Sequence, residues 1–378
     1  MKICIISPNF LEPTAWMVSA YKTAILLKRA GIDVVVLTTR TKGSRESEVI
    51  EGVRVRRMPS IFISDPFNFT IPIGLRKSVN EIIDEEKPDA FIINKYMFYT
   101  SLAGPYLKKK KEKVIVQTDT FPGIIWFAPS RLLNAGMWVY ARTLGKRVLR
   151  KSDRVVLLHE GLVKTAKKLG LRYEVIHNGV DFRKYKEAKP AEDILKMKGN
   201  KKLVTYVGRL DEVKGYRLIL EASKKIGRQR KDIMFLMVVG DKHPEKRKKI
   251  SREYPNVILT GFRKDIENVW AASDIGVLSS HAEGLPNTVM EAMAAGTPVI
   301  ASRVGGVPAI IDHGKNGFLF ERGNAEEMTR RIEELADNEN LRRKMGQNAR
   351  KKIREEFNLE KLADRWKKLL KEVTKGEE

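Results

Sequence analysis

Apolar residues in this chain fall into short, nearly unbroken runs of Val, Ile and Leu, separated by amphipathic stretches with polar positions at helical spacing. The spacing predicts a buried strand over Lys2–Ser7, a helix near Met17–Ala30 and a second strand over Asp33–Thr39, with Gly31 where a helix stop belongs. Further strands are expected at Val53–Met58, Ala90–Asn94, Val114–Thr118 and Arg154–Leu158. Such runs between helices suit a parallel sheet covered on both faces, because neither face then meets water. The pattern restarts with Leu203–Val207, Met234–Val239, Val257–Thr260, Ile275–Leu278 and Pro298–Ala301. Two series of this kind imply an α/β protein of two doubly wound domains, each binding ligand at the carboxyl ends of its strands. The turn Asn178-Gly179-Val180-Asp181 and the polar stretch Lys184–Lys202 mark the boundary, giving an N-terminal domain over 1–177 and a C-terminal domain over 178–358. A charged amphipathic helix, Leu359–Val373, follows, and residues 359–378 are expected to pack back toward the N-terminal domain.

Composition narrows the class. At 378 residues, 42% hydrophobic and 31% charged, the chain has the length for two domains of roughly 100–200 residues each and too many apolar residues for disorder. No apolar run reaches the ~18–20 residues of a membrane-spanning helix, and Met1-Lys2 leads into a strand rather than a secretory signal. A soluble, cytoplasmic protein is expected. Cys4 stands alone, which excludes an internal disulfide framework and any multi-cysteine zinc site.

The net charge of +25 points to anionic partners: nucleic acid, acidic lipid headgroups or phosphorylated metabolites. It is unevenly spread. Residues 105–172 carry 16 Lys and Arg against 4 Asp and Glu, whereas residues 1–104 carry 14 against 11. Abundant Lys, Arg and Glu also suit a heat-adapted protein, but that reading leaves the asymmetry unexplained.

Several chemistries are missing. The turn after the first strand, Ser7-Pro8-Asn9-Phe10, has neither the glycine fingerprint of a dinucleotide site nor a P-loop. His159, His177, His243, His281 and His313 show no metal-ligand spacing on a helix, and no Gly-x-Ser-x-Gly elbow occurs. Two stretches do carry chemistry. Ser279 to Pro298 runs from a strand through a loop into a helix, with Pro286 suited to the first helical turn. The amides near Gly284, Leu285 and Asn287 would then lie at the positive end of a helix dipole, an anion site. Glu283 sits on the loop, while Asn287 and Glu291, four apart, share a helix face. Two carboxylates beside a phosphate site could grip a polyol attached to that phosphate; a capping acid and a solvated glutamate are the plainer alternative. The second stretch is Gly208-Arg209-Leu210-Asp211-Glu212-Val213-Lys214-Gly215, after the first strand of the second domain. Arg209 and Lys214 there could clamp a diphosphate, or could simply be surface cations.

At these residues the sequence resembles the retaining glycosyltransferases of family four, which have the GT-B fold of two Rossmann-like domains facing a cleft. The family's Glu-x7-Glu signature matches Glu283 and Glu291, and its Gly-Arg-Leu-x-x-x-Lys-Gly signature matches Gly208 to Gly215. Ile176-His177-Asn178-Gly179-Val180-Asp181, Glu51-Gly52-Val53-Arg54-Val55 and Ser152-Asp153-Arg154-Val155 are similar to family segments too. The resemblance implies that Arg209 and Lys214 bind the diphosphate of a nucleoside-diphosphate sugar. Glu291 would hold the ribose, Glu283 the transferred sugar, and the amides around Leu285, Pro286 and Asn287 the leaving phosphate, although Pro286 has no N–H to give. It also implies retention at the anomeric carbon, with no metal or other cofactor. Two departures stand out. The family's Gly-Gly loop is replaced by Glu12-Pro13-Thr14-Ala15-Trp16-Met17, and its first-domain His-Asp by Thr118 and Asp119. Asp119 is expected to touch the acceptor or the sugar.

The basic segment combines the run Lys108, Lys109, Lys110, Lys111 with an aromatic stretch holding Trp126 and Trp138, then Arg142, Lys146, Arg147, Arg150 and Lys151. Aromatics beside cations suit a helix lying on an anionic membrane surface, and a lipid or saccharide acceptor is expected on this side with Thr118 and Asp119. In the plainer reading Leu144, Val148 and Leu149 face a core and the cations are solvated. No nucleic-acid-binding motif accounts for the charge. The closer rival is a nucleotide-sugar epimerase of the same architecture, which would need no acceptor.

Overall fold

Strand β1 (Lys2–Ile6) shows how the first sheet is made. Ile3 and Ile5 pack on one face against Ala24 and Leu27 of the helix Ser19–Arg29, while Cys4 and Ile6 pack on the other beside Val35 and Val79. Each residue from Ile3 to Ile6 is fully buried. That is why the run reads as continuous rather than alternating. The helix ends at Gly31, φ +80°, with Ile32 N donating to Leu27 O (3.0 Å) across the turn.

The computed structural model describes residues 1–10, 19–40, 43–63, 69–97, 99–125, 131–240 and 244–375. The chain forms two compact units, Met1–Asn178 with Leu359–Glu378, and Gly179–Asn358. In the first, β1 lies between β2 (Asp33–Thr39) and β7 (Ala90–Asn94), and the described strands run in the order β10-β9-β8-β7-β1-β2-β4-β3. Here β3 is Ser47–Ile50, β4 Val53–Met58, β8 Val114–Thr118, β9 Arg154–Leu157 and β10 Tyr173–Val175. Among the described strands of this sheet, only β3 pairs antiparallel, through the turn at Glu51-Gly52. A separate hairpin joins β5 (Ser60–Ile63) to β6 (Phe69–Pro72). The helix Leu359–Lys375 buries Leu362, Trp366, Leu369, Leu370 and Val373 in the same core as Ile3 and Ile5.

The second unit holds a six-stranded parallel sheet ordered β13-β12-β11-β14-β15-β16. Its strands are β11 (Lys202–Val207), β12 (Ile233–Val238), β13 (Val257–Thr260), β14 (Ile275–Leu278), β15 (Val299–Ser302) and β16 (Gly317–Phe320). Strand order reverses between β11 and β14, so loops leaving their carboxyl ends diverge and open a crevice there. Strands β3, β5, β6, β10 and β16 are absent from the sequence reading. They are three or four residues long, and β3, at the sheet edge, is largely exposed, so no apolar run announces it.

Candidate active site

Both motif stretches leave that switch point: Gly208–Gly215 follows β11 and Ser279–Glu283 follows β14. Their junction is an ion pair, with Lys214 Nζ donating to Glu283 Oε1 at 2.8 Å. Ser280 Oγ donates to the same oxygen at 2.6 Å. The Glu283 side chain is only 8% exposed, so this carboxylate is held by chosen donors rather than by water.

Backbone ties keep the loops in register. His281 N donates to Val213 O (2.7 Å) and Ser279 Oγ to Gly215 O (2.9 Å). Gly215 has φ +62°, and a Cβ there would collide with Ser279 O. Asp211 caps the short turn, accepting from Lys214 N at 2.9 Å, and its other oxygen lies 2.9 Å from the Arg209 guanidinium. Tyr206 Oη donates to Arg209 O (2.7 Å) and leaves no space for a side chain at Gly208. On the far side, Gly306 N donates to Gly284 O at 2.6 Å, and a Cβ on Gly305 would strike Glu283 O.

The helix after Glu283 spans Asn287–Ala295. Pro286 is the residue immediately before it (φ −73°, ψ 117°), not a member of its first turn as the sequence suggested. Its fixed φ serves the chain's entry into the helix. The helix ladder begins with Met290 N donating to Pro286 O (3.5 Å), so the first-turn amides precede that ladder and mark the positive end of the dipole. Leu285 is buried, and Asn287 and Glu291 are half-buried on one face. Glu291 lies close enough to the buried Tyr185 that its charge adds to burial in raising that phenol.

In the first unit, Thr118 ends β8 and Asp119 follows it, so both lie at the strand's carboxyl end as expected. Thr118 is buried and spends its hydroxyl on Thr120 O (2.6 Å). Asp119 pairs with Lys95, which follows β7 with φ +70°. Burial pushes the Asp119 carboxyl up, but the Lys95 charge and hydrogen bond more than offset it and hold it below the usual range. His159 Nε2 lies 3.1 Å from Asp119 O, and beyond it His177 Nε2 meets Glu160 Oε1 at 3.0 Å. That hydrogen bond draws Glu160 down to about 2. Sequence reasoning missed Lys95, His159, Glu160 and Ser280. A signal existed for His159, since it directly follows a strand and therefore sits at a carboxyl end.

The residues grouped as an acceptor or membrane side do not form one surface. Lys108 to Lys111 precede β8 at its amino end, opposite Asp119. Lys108 is tied to Asp153 at 2.8 Å, while Lys109, Lys110 and Lys111 are exposed. Trp138 is 49% exposed on the helix Arg131–Arg142, with the Arg142 guanidinium 4.0 Å from its ring centroid. Leu132 and Val139 are exposed on that helix as well. In the helix Leu144–Lys151, Val148 and Leu149 are buried but Leu144 is not. Trp126 and the segment Glu12 to Met17 lie outside the described residues. Among the described residues no group of three His, Cys, Asp or Glu could hold a metal ion, and no helix is long and apolar enough to cross a membrane.

Residues 18–184 match the Glycosyltransferase Family 4 model and residues 189–352 the Glycosyl transferases group 1 model. An uncharacterized glycosyltransferase of Methanocaldococcus jannaschii is 31% identical over 256 residues, 65% of this chain and 63% of the relative. The Escherichia coli UDP-Gal:alpha-D-GlcNAc-diphosphoundecaprenol alpha-1,3-galactosyltransferase is 32% identical over 212 residues, 53% of this chain and 54% of the relative. The chain thus spans less than two thirds of the length of either. Among solved structures, Anabaena HepE in complex with UDP-glucose has the same fold, with TM-score 0.75 and 17% identity over 98% of this chain and 99% of that one. The chain therefore has the fold of the GT-B glycosyltransferases and is similar to Glycosyltransferase Family 4 over residues 18–184 and to Glycosyl transferases group 1 over residues 189–352.

Proposed function

We propose that this chain is a retaining glycosyltransferase that moves a sugar from a nucleoside-diphosphate sugar to a lipid-linked or saccharide acceptor. The observation that carries the reading is the Lys214–Glu283 pair at 2.8 Å, which brings a cation and a sugar-gripping carboxylate together beside a helix N-terminus. Arg209, Lys214 and the amides of the Asn287–Ala295 helix would take the diphosphate, and Glu291 the ribose. As the bond to the anomeric carbon breaks, negative charge grows on the leaving diphosphate, and fixed positive groups stabilise it more than they stabilise the intact donor. On this reading the protein supplies the charge that a divalent ion would otherwise provide. Asp119 would touch the acceptor or the sugar. The donor complex of HepE and the lipid-linked substrate in the name of the E. coli relative support the two substrate classes.

The test is incubation with labelled nucleotide sugars, with and without a lipid extract and with and without EDTA. Label transferred to lipid with retained configuration, and unaffected by EDTA, is the expected result. Isomerised sugar without acceptor would mean an epimerase, and inverted product would remove the retaining mechanism. Lys214→Ala should lower kcat by roughly 10²-fold, the scale of one lost transition-state donor.

A further inference from the structure

The helices Ala103–Lys109, Leu144–Lys151 and Val163–Lys168 run back to the amino ends of β8, β9 and β10. These strands are parallel neighbours, about 4.8 Å apart, so the three connecting loops lie side by side on one face of the first unit. Residues 108–113, 150–153 and 167–172 hold ten Lys and Arg against two acids. Asp153 is already taken by Lys108 (2.8 Å) and by Val114 N (2.7 Å), and Glu112 is half-buried. Among the described residues no carboxylate pairs with Lys109, Lys110, Lys111, Lys151, Lys168 or Arg172.

The helix dipole favours cations at helix C-termini, but it does not account for this face. The helix Leu75–Glu86 reaches the amino end of the adjoining strand β7 with Glu85 and Glu86, which Arg56, Arg54 and Lys2 neutralise. Beside β8, β9 and β10 the cations are left unbalanced. Their mutual repulsion costs stability until an anion offsets it.

A cavity of about 270 Å³ opens between the second and third loops, and its lining includes Arg150, Ser152, Asp153 and Arg172. Arg150 Nε donates to Leu169 O at 3.2 Å, which holds its guanidinium against the third loop. The cavity is smaller than the ~300–1,000 Å³ pockets of drug-sized ligands, which suits a small anion. Guanidinium forks match phosphate oxygens. None of the three loops carries an exposed large apolar side chain to enter a bilayer or to anchor a protein interface.

We propose that the cavity between Arg150 and Arg172 binds a small anion with at least two phosphoryl groups, at the end of the first sheet opposite Asp119. Each arginine takes one phosphoryl group, and the neighbouring lysines supply the long-range attraction. The site does not rest on the donor reading, whose loops belong to the second unit.

Inorganic pyrophosphate is titrated into the full chain. The Arg150 and Arg172 Nε–H signals, assigned by their loss in Arg150→Gln and Arg172→Gln, are followed in ¹H–¹⁵N spectra. Both arginines are exposed, so neither substitution opens a core. Both signals should shift and saturate in the wild type. Affinity read at Arg172 should fall tenfold or more in Arg150→Gln, and affinity read at Arg150 likewise in Arg172→Gln. Lys109→Gln with Lys110→Gln removes two charges from the neighbouring loop and should cost no more than a few-fold. Signals that stay put, or that move without saturating, would overturn the site. Equal losses from the lysine pair and from either arginine would overturn it too, since diffuse charge alone would then hold the anion. Monophosphate bound as tightly as pyrophosphate would overturn the assignment of two phosphoryl groups.

Discussion

Glu283 accepts from Lys214 and Ser280 on a single oxygen, which fixes its plane and leaves its orientation little freedom. Ser280 is itself fully buried, and Ser302 Oγ donates to its carbonyl at 2.6 Å, so the hydroxyl that aims Glu283 is anchored by β15. Ser280→Ala should therefore lower kcat/KM about tenfold, the effect of one lost hydrogen bond to a charged group, with little change in UDP binding. Equal loss in both measurements would make Ser280 a structural residue only. Glu160 supports a pH prediction. Its folded pKa of about 2 lies below the ordinary glutamate value of 4.5, so its contribution to stability is present above pH 4.5 and is lost as pH falls toward 2. Acid titrations of Tm should show less loss in that window for Glu160→Gln than for wild type. Glu283, Lys214 and Arg209 could be named from sequence because their spacing within a motif is local. Lys95 and Ser280 could not, since Lys95 meets Asp119 24 positions away and Ser280 reaches Glu283 only through the turn of its loop.

Among the elements, the long core strands matched their sequence patterns to within a residue at either end, because double burial writes the same apolar run whatever the neighbours are. The edge strand β3 did not, since its half-exposed pairing with β4 draws its stability from the partner's backbone. The last helix shows the opposite dependence. Its amphipathic stripe was legible, but its use as a lid on the first sheet comes from Trp366 and Leu370 packing among residues more than 300 positions earlier. Trp366 is 1% exposed, so Trp366→Ala should destabilise the first unit by about 3–5 kcal/mol, seen as an early transition in thermal unfolding. A melting profile unchanged from wild type would refute that packing role.

For the whole molecule, the charge of +25 is divided among different duties. Lys214 pairs with Glu283, Arg209 with Asp211, Lys95 with Asp119, and Lys108 with Asp153. What remains on the surface of the basic segment includes Lys146, Arg147, Arg150 and Lys151, on the helix after the one presenting Leu132, Val139 and Trp138. We propose that these helices rest on an anionic membrane at the cytoplasmic face, apolar side chains at the headgroup boundary and cations on the phosphates. Sedimentation with liposomes should be stronger for anionic than for neutral lipid, should weaken with added salt, and should fall for Leu132→Glu with Val139→Glu. Equal binding to both lipids would sink the membrane reading.

The sequence by itself determined the two α/β units, most of their buried strands and the loops that carry the two motifs, because each is a pattern over fewer than about twenty neighbouring positions governed by burial or by loop chemistry. Only the tertiary structure decided that Lys214 meets Glu283 across 69 positions, that Thr118 turns its hydroxyl inward, and that Lys108 to Lys111 lie at the opposite end of β8 from Asp119. It also decided that His159 stands against Asp119, 40 positions away. Parallel strands bring their carboxyl ends together in an order that chain position does not give, and hydrogen bonds formed there depend on that order.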